Sequence, residues 1–223
     1  GNVALAVAGT GYLAFFIPAL KEPLWAAVSN LALIWLTSAA YASGARTEAR
    51  FGAVTLGLGL VPLVLAVAAG AMAFSGDTFA ASWSPGDQPL LKTVPASLAI
   101  IFWAFLGVES AAALSSLVRN PAVDVGRASL GGVALAFIVY VAASIAVFGV
   151  IPADVLVHST SPYADLVARV MGSSVAGLVA ACAVIKVLGT IAGWTMLAGE
   201  TSRGAAEAGW MPRWFGGAQK GKT

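Results

Sequence analysis

Charge is scarce in this chain. Only 10% of its 223 residues are Asp, Glu, Lys or Arg, while 59% are hydrophobic. A soluble domain carries nearer a quarter of its residues as charges, so a water-soluble globule is excluded. Cysteine is represented by Cys182 alone, which excludes an intramolecular disulfide framework. Histidine is represented by His158 alone, and no apolar run carries a His/Asp/Glu cluster or a Ser–His pair. The expectation is therefore no metal, no cofactor and no enzyme chemistry. A net charge of +2 does not mark a nucleic-acid surface. The apolar runs are unbroken rather than alternating, which argues against strands.

What is present is a succession of runs long enough to cross a bilayer, which takes about 20 apolar residues as a helix. Six qualify: 2–20, 23–43, 51–74, 94–117, 128–151 and 175–199. The sequence thus predicts an all-α polytopic membrane protein forming one transmembrane domain over 1–223. Gly1 and the residues after it already read as span interior, so the expectation is a piece of a longer protein. Six spans place 44–50, 118–127 and the tail 200–223 on one side. That side holds eight basic residues, against three (Lys21, Lys92 and Arg169) in the other loops. The bias assigns the first set to the cytoplasm. Ser161-Pro162 predicts the start of a short helix with a serine cap and an interfacial apolar face. The tail near Trp210 and Trp214 reads as another interfacial helix.

Four polar features lie inside the runs. Glu109 follows Gly107 by two residues in Phe-Trp-Ala-Phe-Leu-Gly-Val-Glu-Ser. An ionisable residue at membrane depth usually lines a site or pathway. Glycine lets the backbone leave helical geometry, so the fourth span is expected to be broken at Gly107. An acid at that depth costs least when neutral, which makes Glu109 a candidate proton sensor. The competing reading is a carboxylate reaching out from a helix end. Lys186, a third to half of the way along its span, must snorkel, pair or sit neutral, as a gating charge or as part of a site. Trp103 and Trp194 sit well inside their runs, beside small residues, and a tryptophan face can hold a guanidinium. Thr190 is one turn before Trp194 and one turn after Lys186. Asn2 is either interhelical glue or a ligand group.

Gly-Thr-Gly-Tyr-Leu-Ala-Phe-Phe-Ile-Pro at 9–18, Phe-Trp-Ala-Phe-Leu-Gly-Val-Glu-Ser-Ala at 102–111, Arg-Asn-Pro at 119–121, Ser-Pro-Tyr-Ala-Asp at 161–165 and Gly-Trp-Thr-Met-Leu-Ala-Gly at 193–199 stand in a telling order. In these pieces the chain resembles the amino acid–polyamine–organocation superfamily, and within it the bacterial arginine/agmatine antiporters. The resemblance covers nearly the whole chain, as the third to eighth of twelve spans. It implies part of a five-plus-five inverted-repeat fold in the bacterial inner membrane, and a homodimer as one partner state. It implies exchange of a cationic amino acid for its decarboxylated amine by alternating access. Trp103 would gate the substrate, and carbonyls at Trp103 and Leu106 would take its ammonium. Trp194 would stack on the guanidinium or its stem, Asn2 would accept the guanidinium end, and Glu109 would belong to a pH-responsive gate. Lys186 departs from the pattern, standing where the arginine/agmatine antiporters carry a small residue. The alternatives are a proton-coupled permease of the same superfamily and a non-transport membrane subunit.

Overall fold

The structure is a computed structural model that describes residues 1–41, 45–83, 89–105, 107, 118 and 120–216. Most of the described residues are helical, and among them there is no strand. The fold is that of an all-α polytopic membrane protein. The α-helices among the described residues are α1 (Asn2–Leu13), α2 (Pro23–Tyr41), α3 (Ala45–Ala73), α4 (Gly76–Trp83), α5 (Leu90–Ala104), α6 (Pro121–Val150), α7 (Ala153–Leu156), α8 (Pro162–Met171) and α9 (Ser173–Glu207). Three described stretches are long and apolar enough to cross a membrane: Phe51–Ala73, Pro121–Val150 and Ser173–Glu207. Asn2–Leu13 and Pro23–Ala39 are shorter apolar helices.

Several ends differ from the sequence expectation. α1 stops at Leu13, inside the 2–20 run. Ile17 leaves helical geometry ahead of Pro18, as a residue before proline tends to, and a short 3-10 turn Pro18–Lys21 follows. α6 begins at Pro121, inside the stretch 118–127 assigned to a loop, because proline suits a first helical position. α9 runs on to Glu207 instead of stopping near 199, so the expected separate interfacial helix at 205–210 is largely its continuation.

The chain forms two compact units, Gly1–Leu65 with Thr160–Thr223, and Ala66–Ser159. In the first, α1 packs against α2 and α9 around Ala6, Leu33 and Ile191, with Leu5, Ile34 and Val187 closing over them. Close approach depends on small residues. A Cβ on Gly9 would stand 2.9 Å from Val187 Cγ1 and 3.2 Å from Leu33 Cδ1. A Cβ on Gly189 of α9 would overlap the Thr55 hydroxyl of α3. Thr10 of α1, 4% exposed, donates to Asn30 Oδ1 at 2.7 Å and lies 2.9 Å from Ser29 Oγ, joining α1 to α2 by a polar clasp.

α8 and α9 meet at Gly172, whose φ of 90° is a conformation that side chains resist. Pro162 is the first residue of α8 and Ser161 stands at the cap position, but the serine makes no capping hydrogen bond and its hydroxyl faces Asp165 Oδ1 at 3.5 Å. Ala164, Leu166 and Val167 are fully buried, and α8 packs against α9. Its apolar face therefore serves the protein interior rather than the headgroup layer that the amphipathic pattern suggested.

In the second unit, the end of α3 presses on α6, where a Cβ on Gly70 would overlap Ala146. Ser75 N donates to Gly149 O at 2.9 Å, and the Phe74 ring covers Gly149. Along α6, Leu130, Leu135, Phe137 and Ile138 stay more than half exposed, a face suited to lipid.

Candidate functional site

The residues singled out from sequence fall into the two units. Asn2, Lys186, Thr190 and Trp194 belong to the first; Trp103 and Gly107 belong to the second, and Leu106 and Glu109 lie outside the described residues.

In the first unit Asn2 opens α1. Its Nδ2 donates to Thr195 Oγ1 at 3.4 Å, and Thr195 donates to the Ile191 carbonyl at 2.8 Å. Asn2 Oδ1 is buried and has no hydrogen-bond partner among the described residues. An orphaned buried acceptor costs roughly 1–3 kcal/mol, which a ligand donor can recover. Trp194, next to Thr195, is half-buried. One turn earlier, Thr190 donates to the Lys186 carbonyl at 2.9 Å and accepts from Lys186 Nζ at 2.8 Å. The lysine stem lies across α3 where Gly59 leaves room, since a Cβ there would overlap it. Lys186 is thus held by a hydroxyl. The ion pairs among the described residues are those of Arg203 with Glu200 at 2.6 Å and Glu207 at 2.8 Å. Glu109, the other ionisable candidate read from the sequence, lies outside the described residues.

In the second unit α5 ends at Ala104, and Phe105 N donates back to Phe102 O at 3.1 Å. Gly107 then has φ 104°, left-handed backbone that glycine adopts freely. Trp103 sits in the last turn of α5. The side chain of Trp103, and all of Leu106, lie outside the described residues.

Sequence reasoning missed two features. One is Thr195, whose link to Asn2 spans 193 positions. The available signal was a hydroxyl inside an apolar run, next to a tryptophan already marked. The other is a cavity of about 920 Å³ within the second unit, walled by aromatics such as Phe79, Trp83, Phe105 and Tyr140, with Ser82 Oγ buried on its lining and unpartnered among the described residues. Its walls come from α4, α6 and the α5 region, so no motif announces it. Among the described residues no group of His, Cys, Asp and Glu could hold a metal ion.

Known proteins resemble this chain along its whole length. The family model for amino acid permeases matches residues 1–223. The chain is 32% identical over 216 residues to a cadaverine/lysine antiporter of Escherichia coli strain K12, covering 97% of this chain and 49% of that relative. It is 28% identical over 214 residues to the putrescine transporter PotE of the same strain, covering 96% of this chain and 49% of the relative. PotE of Haemophilus influenzae gives the same identity over the same length. The chain spans about half the length of the curated relatives it matches. A match of this extent places the chain in the amino acid permease family, within the amino acid–polyamine–organocation superfamily.

Proposed function

We propose that the whole protein exchanges a cationic amino acid for its decarboxylated amine across the bacterial inner membrane, by alternating access. The observation that carries this reading is the full-length match to a family that includes a cadaverine/lysine antiporter. The orphaned Asn2 acceptor supports a substrate with a donor-bearing end. Arginine against agmatine is the finer proposal. The relatives' names support the wider class of basic amino acids and diamines.

In this reading Asn2 takes the cationic end, Trp194 stacks on the stem beside Thr190, and Trp103 gates the substrate. Carbonyls at Trp103 and Leu106 receive the ammonium because the helix stops ahead of Gly107. Glu109 and Lys186 form the pH-responsive gate. The chain supplies six spans of a five-plus-five inverted repeat, with 44–50, 118–127 and 200–223 cytoplasmic, and it works as a carrier, not as an enzyme, in a homodimer. A site that must be filled before it reorients gives obligate exchange without a metal or cofactor.

A second reading, a proton-coupled permease, is favoured by one observation: Lys186 is engaged by Thr190 and by no carboxylate among the described residues. Counterflow in liposomes separates substrates. Vesicles loaded with arginine or lysine are offered labelled arginine, agmatine, lysine, cadaverine and putrescine. Uptake of an amine with its parent amino acid supports exchange, and uptake of none refutes it. Glu109→Gln is expected to flatten the pH dependence of exchange. A variant with the full pH dependence removes Glu109 from the gate.

A further inference from the structure

The amide of Asn2 has two possible orientations, and proton accounting on its neighbour decides between them. Thr195 has one hydroxyl proton, and that proton is given to the Ile191 carbonyl at 2.8 Å. Toward Asn2 the hydroxyl therefore offers only a lone pair. An Asn2 turned to present Oδ1 would set acceptor against acceptor, whereas Nδ2 is accepted at 3.4 Å. The other end of the amide is then fixed as a carbonyl oxygen, and that oxygen is buried and unpartnered among the described residues. Leaving such an acceptor dry is unfavourable, so the position selects a molecule that brings an N–H.

We infer that Thr195 is a positioning residue for substrate selection. By fixing which end of the Asn2 amide is the unpartnered oxygen, it makes this subsite accept an ammonium or guanidinium tip and reject a tip that offers only acceptors or none. The inference rests on the amine-exchange reading and deepens it. Asn2 alone would not discriminate, because a free carboxamide can turn its NH₂ group toward an acceptor-bearing ligand. Thr195, committed to the α9 backbone, removes that freedom. The backbone bond it makes is the ordinary one for threonine in an apolar helix, so the only unusual element is what the hydroxyl does with its remaining lone pair.

The test compares two ligands of equal length, 1,5-diaminopentane and pentylamine, which differ only in the second ammonium. Affinities are measured on the whole protein in detergent for wild type, Thr195→Ser and Thr195→Val. Wild type is expected to favour the diamine. Thr195→Val keeps the shape, loses the lone pair, and is expected to weaken diamine binding about tenfold while leaving pentylamine nearly unchanged, the scale of a hydrogen bond to a charged group. Thr195→Ser is expected to restore the preference. A general packing defect would lower both affinities together and leave their ratio intact. An unchanged ratio in Thr195→Val, with wild type binding the diamine, overturns the positioning role alone. A wild type that binds neither amine overturns the exchange reading and this inference with it.

Discussion

α6 and α9 are both long apolar helices, of 30 and 35 residues, yet α9 buries 44% of its most apolar window and α6 only 22%. Apolarity does not separate them, because lipid is as apolar as leucine and gives helices no hydrophobic reason to associate. What separates them is small residues set against a neighbour. On α9, Ala176, Ala180, Ala183, Gly189 and Ala192 are buried, and Thr190 and Thr195 hold side chains as well as backbone. On the first half of α6, a Cβ added to Gly131 or Gly132 would meet nothing within 4 Å among the described residues, and large residues stay exposed. Hydrophobic runs mark where the membrane is; small and hydroxyl residues mark where protein meets protein within it.

The contrast can be broken most sharply at one residue on each helix. Ile191→Ala opens a void beside Ala6 and Leu33 and is expected to cost about 2–5 kcal/mol, the range for core truncations. Leu130→Ala, on a side chain 76% exposed, is expected to change stability by less than about 0.5 kcal/mol. Thermal unfolding in detergent measures both, and equal losses would end the distinction. Next in size are the glycines. Gly189→Ala drives a methyl into Thr55 and is expected to cost about 1–3 kcal/mol. Gly132→Ala meets nothing and is expected to stabilise by about 0.5–1 kcal/mol. The smallest effect is expected at the end of α9. Arg203→Ala removes two partly exposed pairs within one helix, with a loss under about 1 kcal/mol that shrinks further in high salt.

The same comparison explains what was readable beforehand. Membrane character followed from scarce charge and long apolar runs. Pro121, Pro162 and Gly172 stand at helix ends for reasons local to the residues. The end of α9 was not readable, because Glu200, Arg203 and Glu207 look like a solvated loop until their spacing of three and four lets them pair along one helix face. The burial of α8 was not readable either, since periodicity shows that a face is apolar but not whether protein or lipid covers it. Candidate residues such as Asn2, Lys186 and Trp194 were visible as polar or aromatic interruptions. Thr190, one turn from Lys186, was visible too; the distant partners were not, since Thr195 reaches Asn2 and Gly59 reaches Lys186 only by folding, over separations that no local rule spans.

Obligate exchange is the claim on which the functional account stands, and trans-stimulated efflux tests it most directly. Liposomes containing the whole protein are loaded with a labelled diamine or basic amino acid and diluted into buffer with or without unlabelled counter-substrate. Exchange predicts rapid loss of label only when counter-substrate is outside. Equal efflux into empty buffer would contradict it.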